Sequence, residues 1–241
     1  MRKLVRVGLA AIGAFCLWGC FNPDKYNDIK PKGIIAFTTG DGTTVPADGS
    51  SSFSVTVQIS KDAVAAKRNV VFKTTLGSFK GGTADSIVVA VDTNFNATAK
   101  LVSLNMGPAV VSAKILGVTA SGGPKVTFSP AYADSVKVAV DSFSIRNNFK
   151  SEVVVTASLK SGKGKPTIGQ VVNFSVVDAA GNPVGTFLNG IATGTSDMAG
   201  QVQLRYSAGN TAYMGWLTIR AAAVSGSAPP VSGTTQIYLD H

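Results

Sequence analysis

The residues that could do chemistry are few and scattered along the chain. The sequence holds a single histidine, His241, at its last position. A hydrolytic triad needs a base beside its nucleophile, and a terminal side chain is poorly held for that task. Zinc sites need clustered cysteine and histidine, and no glycine cluster precedes a helical pattern that could form a phosphate loop. We therefore expect no enzyme activity and no catalytic, cofactor-binding or metal-binding residues, although a Ser–Lys dyad stays open.

The acidic residues give one candidate, the run Asp92-Thr93-Asn94-Phe95-Asn96, which imitates the start of a calcium-binding loop. Position six of such a loop requires glycine and position twelve a bidentate glutamate, but this chain has Ala97 and Ser103 there. The run therefore predicts a turn. The other acids are few and mostly stand next to turn residues, so no carboxylate pair for glycoside cleavage is expected.

Three aromatic residues, Tyr206, Tyr213 and Trp216, are spaced loosely around the predicted hairpin turn Gly209-Asn210. One interpretation makes them a stacking platform for sugar. The other makes Tyr206 and Trp216 core or edge residues of strands, and it is favoured because strands use aromatic side chains routinely for packing.

The N-terminal leader combines a basic segment with an apolar one. Arg2, Lys3 and Arg6 precede an uncharged, mostly apolar run over residues 7–19. That run is shorter than the roughly 20 residues needed to cross a bilayer, so the pattern indicates an export signal.

The stretch Leu17-Trp18-Gly19-Cys20 at the end of the leader resembles the lipobox of bacterial lipoproteins. The resemblance implies a signal peptide over 1–19, cleavage between Gly19 and Cys20, and palmitate-type acyl chains on Cys20. Each buried methylene contributes about 0.8 kcal/mol, so several chains anchor stably. Phe21 stands where aspartate would signal inner-membrane retention, which favours the outer membrane. An ordinary signal peptide with an incidental cysteine is the alternative.

The charge and cysteine content limit the partners and the chemistry of the exported chain. The leader carries three of the positive charges, so a net charge of +9 becomes +6 after cleavage. Lys and Arg are otherwise scattered, with one basic pair at Lys67-Arg68, which disfavours nucleic acid and suits anionic lipid or acidic glycan. No cysteine follows Cys20, so no intrachain disulfide can form in the mature protein.

Period-two alternation dominates after a polar tether over residues 20–32. Apolar residues alternate with polar ones over 53–59, 136–140 and 202–206, which predicts half-buried antiparallel strands. Glycine-rich turns separate such runs every ten residues or so, as in an all-β sandwich. No long amphipathic helical pattern is present.

The chain also repeats itself with a period near 100 residues. Val70-Val71-Phe72 recurs as Val172-Asn173-Phe174, and 53–59 is echoed by 153–159. A period of this length means two whole domains rather than a solenoid of small repeats. We place them at 33–130 and 131–241, with Phe72 and Phe174 in equivalent core positions.

These residues resemble the bacterial Ig-like domains of the invasin/intimin type. The shared motifs are an Ala-Asp-Gly start, a Val-x-Phe strand, and an Asp-x-x-Gly turn before an apolar strand. The first unit supplies Ala47-Asp48-Gly49, Val70-Val71-Phe72 and Asp92 to Ala97. The second supplies Gly162 to Pro166, Gly169 to Phe174 and Asp197-Met198-Ala199-Gly200. In the first unit Asn96 replaces the expected glycine, and the second unit lacks the Ala-Asp-Gly start.

The resemblance implies two tandem Ig-like antiparallel β-sandwiches that act as spacers and binding faces of an envelope or adhesion protein. Two other functions stay open. One is a lipid-anchored carbohydrate-binding component of a glycan uptake system, and the other is a periplasmic structural subunit of an envelope complex. The partner is expected to be a protein or glycan, besides the membrane.

Overall fold

The computed structural model describes residues 34–61, 68–82, 84–226 and 228–241. The predicted cleavage and lipidation residues, Gly19 and Cys20, and the tether over 20–32 lie outside this part of the chain. Within it, every regular element is a β-strand except a single 3-10 turn at Leu188–Gly190. The described ranges contain no helix with the length and hydrophobicity of a bilayer-spanning segment.

Ten strands build an N-terminal sandwich of two sheets. They are β1 (Ile35–Phe37), β2 (Thr43–Pro46), β3 (Phe53–Ile59), β4 (Asn69–Thr74), β5 (Ser78–Phe79), β6 (Ser86–Ala90), β7 (Asn96–Val102), β8 (Gly107–Ile115), β9 (Val118–Thr119) and β10 (Lys125–Ser129). One sheet has the order β1-β3-β7-β5. The other has the order β2-β10-β8-β4-β6, with β9 paired to β8.

Nine strands build a C-terminal sandwich with the same arrangement. They are β11 (Ser135–Val140), β12 (Ser144–Arg146), β13 (Val153–Lys160), β14 (Val171–Val177), β15 (Thr186–Phe187), β16 (Thr193–Thr195), β17 (Gln201–Ser207), β18 (Gly215–Ser225) and β19 (Ala228–Asp240). The sheet orders β11-β13-β17-β15 and β12-β19-β18-β14-β16 repeat those of the first sandwich, except that β9 has no counterpart.

Each sandwich has its own hydrophobic core, formed by the inward-facing side chains of its strands. Phe72 on β4 and Phe174 on β14 are both buried and pair with equivalent strands, Phe72 with Ala113 on β8 and Phe174 with Ala221 on β18. Each ring packs against a second buried phenylalanine. The ring centroids of Phe72 and Phe79 on β5 are 6.2 Å apart, and those of Phe174 and Phe187 on β15 are 5.7 Å apart. The two residues therefore occupy equivalent core positions, as the repeat predicts.

The sheets are not wholly antiparallel, in contrast to the sequence-based expectation. β2 pairs with β10 in parallel, and β12 pairs with β19 in parallel. In each sandwich the first strand (β1 or β11) lies in one sheet and the second strand (β2 or β12) lies in the other. The chain does not reverse direction between the two strands. The second strand therefore runs alongside the last strand of the sandwich in the same direction.

Three turns share one construction, in which an aspartate carboxylate accepts two backbone N–H groups of its own turn. The acceptors are Asp92, Asp178 and Asp197, and all six donor–acceptor distances are 2.8 or 2.9 Å. The carboxylate of Asp92 thus holds a turn, as the interpretation of that run predicts. The turns at Asp92 and Asp197 precede equivalent strands, β7 and β17.

The fourth residue of these turns needs a positive φ, which is 87° at Gly181 and 74° at Gly200. In the first sandwich this place belongs to Phe95, with φ 64°. The sequence predicts that Asn96 replaces the glycine of this pattern. The structure shows that Phe95 replaces it. The guanidinium carbon of Arg68 lies 4.7 Å from the Phe95 ring centroid, a cation–π contact that offsets part of the backbone strain.

Candidate functional site

The strand register defines two ends in each sandwich, and one end of the first sandwich contacts the second. β2 and β10 end together at this contact, and the chain passes directly into the second sandwich. A segment between β13 and β14, residues 163–168, lies across it. Its Lys165 N–H donates to the Asp48 carbonyl at 2.9 Å, and its Ile168 N–H donates to the Leu104 carbonyl at 3.0 Å. We call this contact the joint.

Thr167 is the central residue of the joint and is buried. Its hydroxyl donates to the Ala47 carbonyl at 2.9 Å and accepts the Ala131 N–H at 2.7 Å. The Gln170 side chain binds the same linker, donating to the Ala131 carbonyl at 2.6 Å. Because these polar groups are buried and paired, separating the sandwiches would leave them without partners or expose them to water.

The opposite end of the second sandwich, which we call the far end, is exposed. β12 and β19 end there and β18 begins there. Large apolar side chains cluster around it, in contrast to the paired polar groups of the joint. Phe143 is 84% exposed, Phe149 78%, Trp216 54% and Leu188 52%.

Tyr206, Tyr213 and Trp216 do not form a stacking platform, and Tyr206 and Trp216 lie in strands, as the favoured interpretation predicts. Gly209-Asn210 connects two different sheets and is not a hairpin turn, because β17 and β18 do not pair. Tyr206 is a core residue whose hydroxyl donates to the Val184 carbonyl at 2.8 Å, and burial raises its pKa. The Tyr213 hydroxyl donates to the Trp216 carbonyl at 2.9 Å.

Trp216 is exposed and pairs with an aromatic residue that sequence reasoning missed, Tyr238. The two lie opposite each other on β18 and β19, with ring centroids 5.3 Å apart and planes at 74°. The period-two alternation over Gln236–Asp240 is the signal that could have placed Tyr238 on the outer face. An edge-to-face pair gives no flat surface on which a sugar ring could stack on both rings.

A cleft of about 220 Å³ lies between the 147–152 loop and the edge of β15. Phe149 and Leu188 stand at its sides, and Tyr206 lies at its base. Arg205 and Glu152 border it and form an ion pair at 3.3 Å. Asn189 beside it has φ 59°, a left-handed conformation that asparagine tolerates better than most residues.

The 147–152 loop corresponds to the Ala-Asp-Gly start of the first sandwich. The Ala47 N–H donates to the end of β10 at 2.8 Å, and the Asn147 N–H donates to the end of β19 at 2.7 Å. The Asp48 carboxylate accepts the N–H groups two and three residues later, and the Asn148 side-chain oxygen does the same. The second sandwich therefore replaces Ala-Asp-Gly with Asn147-Asn148-Phe149. The 100-residue spacing from Ala47 to Asn147 was the signal for it.

The remaining chemical candidates are placed as follows. His241 is exposed, and its N–H donates to the Asp240 side chain at 2.8 Å. Across the described ranges, no three acidic, histidine or cysteine side chains gather closely enough to hold a metal ion.

No protein-family model matches the sequence, and no curated protein matches it either. Solved structures match its fold. The adhesin InvE of Yersinia pseudotuberculosis aligns with 85% of this chain at a TM-score of 0.50 and 22% identity, over 58% of its own length. Invasin, a bacterial integrin-binding protein, aligns with 85% of this chain at a TM-score of 0.55 and 21% identity, over 38% of its own length.

The fold is of the invasin type. It consists of tandem Ig-like β-sandwiches, which confirms the fold class implied by the resemblance. This chain spans less than two thirds of the length of either structure.

Proposed function

We propose that this protein is a lipid-anchored envelope protein whose two sandwiches form a spacer and a binding module, without catalysis. The observation that carries the proposal is the order of the ends. Ile35 pairs with Ile59, the end of β3 remote from the joint, so the chain enters the first sandwich opposite its contact with the second. The exposed phenylalanine and tryptophan side chains of the described residues, Phe143, Phe149 and Trp216, lie at the far end of the second. An N-terminal anchor would therefore leave that end remote from the lipid.

The dimensions fit a spacer. β8 has nine residues and β18 eleven. At about 3.4 Å per residue they span about 30 and 37 Å, so two sandwiches joined end to end hold the far end several nanometres from the first strand. The Phe21 residue after Cys20 favours the outer membrane.

The partner we propose is a protein rather than a glycan. The exposed Trp216 and Tyr238 rings are nearly perpendicular, so they do not form the coplanar platform that a sugar-binding face requires. Aromatic side chains are enriched in protein interfaces, and tryptophan and tyrosine are among the residues whose truncation costs most binding energy. Invasin, whose fold is similar, is an integrin-binding protein.

The anchor is tested by the Cys20→Ser substitution. We expect the serine variant to leave the membrane fraction, because it has no thiol to acylate, whereas wild type stays there and carries lipid mass on Cys20. The matched control is Cys16→Ser, which removes the other cysteine and should leave the protein membrane-bound. Membrane retention of Cys20→Ser, together with a wild-type N-terminus free of lipid, would refute the anchor.

A further inference from the structure

The cleft at the far end has a structural counterpart at the joint. Leu101 pairs with Phe53 in the first sandwich, and Tyr206 pairs with the equivalent Val153 in the second. Leu104 therefore corresponds to Gly209, and the loop that contains Gly49 corresponds to the loop that contains Phe149. A cleft of about 310 Å³ lies at the joint between Gly49, Gly77 and Leu104. The far-end cleft occupies the same place in the second sandwich, beside Phe149, Thr186 and Gly209.

The joint cleft is completed by a segment of the second sandwich. Ile168 and Met198 form part of its wall, and the N–H of Ile168 binds the Leu104 carbonyl. The first sandwich thus receives an irregular segment through three backbone carbonyls, those of Ala47, Asp48 and Leu104. Its donors are two backbone N–H groups and the Thr167 hydroxyl.

The far end presents the corresponding acceptors. They are the carbonyls of Asn147 and Asn148, which are half-buried residues, and that of Gly209, which is buried beside the Phe149 ring. Outside the strands of the described ranges, no backbone N–H group donates to these three carbonyls. The far end differs in having exposed apolar side chains beside these carbonyls, Phe149 and Leu188. An exposed ring next to backbone acceptors is suited to a polypeptide that brings both N–H groups and an aliphatic side chain.

We propose that the far end binds an irregular loop segment of a partner protein in the way that the first sandwich binds residues 163–168. The segment would donate backbone N–H groups to the loop carbonyls and place a branched aliphatic side chain between Phe149 and Leu188. A folded second copy of this chain is not the partner, because its own 163–168 segment is held at its joint. The inference rests on the proposed binding function and specifies the class of ligand.

The probe is a capped peptide with the sequence of residues 161–170, titrated into the ¹⁵N-labelled chain from residue 20 carrying Cys20→Ser. We expect saturable chemical-shift changes confined to the far-end cleft, with millimolar affinity. A control peptide with alanine in place of Thr167 and Ile168 should bind at least fivefold more weakly. Phe149→Ala and Leu188→Ala should weaken binding by a similar factor. Val88→Ala, an exposed truncation on β6 of the first sandwich, should leave it unchanged.

Three results would overturn the inference: no saturable change at 10 mM peptide, changes confined to the joint, or binding that Phe149→Ala leaves intact. Phe149-dependent binding to phosphatidylglycerol vesicles without peptide binding would assign the far end to lipid and would also refute it. Phe149 is largely exposed, so its truncation is not expected to disturb the fold. None of these outcomes bears on the lipid anchor, which the Cys20→Ser fractionation tests separately.

Discussion

The two sandwiches share a backbone plan but differ at one equivalent end. In the first, the row across β8 and β10 is Pro108 and Thr127, next to the joint. In the second, the corresponding row is Trp216 and Tyr238, and it is exposed. The strand order and the core phenylalanines are the same in both. The difference indicates that the inward-facing side chains of the strands specify the sandwich. The loops and the outward-facing cross-strand pairs at its end determine what that end contacts.

The loops at this end show the same exchange in reverse. A Cβ at Gly49 would approach the Leu104 side chain at 3.0 Å, and a Cβ at Gly209 would approach the Phe149 ring at 3.4 Å. Each sandwich therefore fills the gap between its two loops with one large side chain and one glycine, but on opposite loops. The large side chain is on the loop after β7 in the first sandwich and on the loop before β13 in the second.

The largest expected effect comes from truncating the equivalent core rings. Phe72→Ala and Phe174→Ala should each cost about 3 to 5 kcal/mol of the unfolding free energy of the sandwich that contains them, because a large buried cavity is left. Trp216 is the single tryptophan after the leader, so its fluorescence reports the second sandwich. Denaturant unfolding followed at Trp216 should respond strongly to Phe174→Ala and weakly to Phe72→Ala.

An equal response to both substitutions would show that the two sandwiches unfold as one unit. Separate expression of residues 32–130 and 131–241 gives the complementary test of the proposed domains. We expect each fragment to fold by itself, since each has its own core. If both fragments fail to fold, the boundary near Pro130 is wrong.

The fold was predictable wherever alternation was long enough to specify a face. The alternating run 53–59 is β3, with every second side chain buried, and the runs near 136–140 and 202–206 are β11 and β17. The parallel pairs were missed because β12 has only three residues. A segment that short carries no period and does not reveal which sheet it joins.

The far end was predictable only in part. Asn147-Asn148-Phe149 stands 100 residues after Ala47-Asp48-Gly49, but the residue types differ, since a side-chain amide caps the loop as well as a carboxylate does. The sequence predicts that Tyr206 and Trp216 are both aromatic residues of strands. Which of them is buried depends on the register of β17 and β18 in different sheets, and no local pattern contains that information.

An intermediate effect is expected at the joint, from Thr167→Ala. The substitution removes a buried hydroxyl that binds the Ala47 carbonyl and the Ala131 N–H. Leaving these groups without partners should cost about 1 to 3 kcal/mol. Denaturant unfolding measures the loss, and small-angle scattering should show a wider distribution of end-to-end distances. Thr167→Ser keeps the hydroxyl and is the matched control, so an equal loss in both variants would exclude the hydrogen bonds as the cause.

The smallest expected effect is a difference in acid sensitivity between the two loop caps, Asp48 and Asn148. Burial by itself raises the pKa of Asp48, but hydrogen bonds from Ser51 and Ser50 outweigh it and leave the pKa below its ordinary value of 3.8. The cap is therefore fully stabilising above about pH 4, and its contribution is lost as the pH falls through the lowered pKa of the folded state. Asn148 does not titrate.

Asp48→Asn gives the first sandwich the cap of the second. The amide oxygen can still accept the Ser50 and Ser51 N–H groups, but the amide nitrogen cannot accept the Ser51 hydroxyl that now binds the carboxylate at 2.7 Å. We therefore expect the variant to be slightly less stable than wild type at pH 7 and to lose less stability between pH 4 and pH 2. Calorimetry over this range measures both quantities. Identical pH profiles would show that the Asp48 carboxylate contributes nothing to the acid sensitivity. Both variants keep the Asp48 backbone carbonyl that accepts the Lys165 N–H, so the comparison isolates the carboxylate.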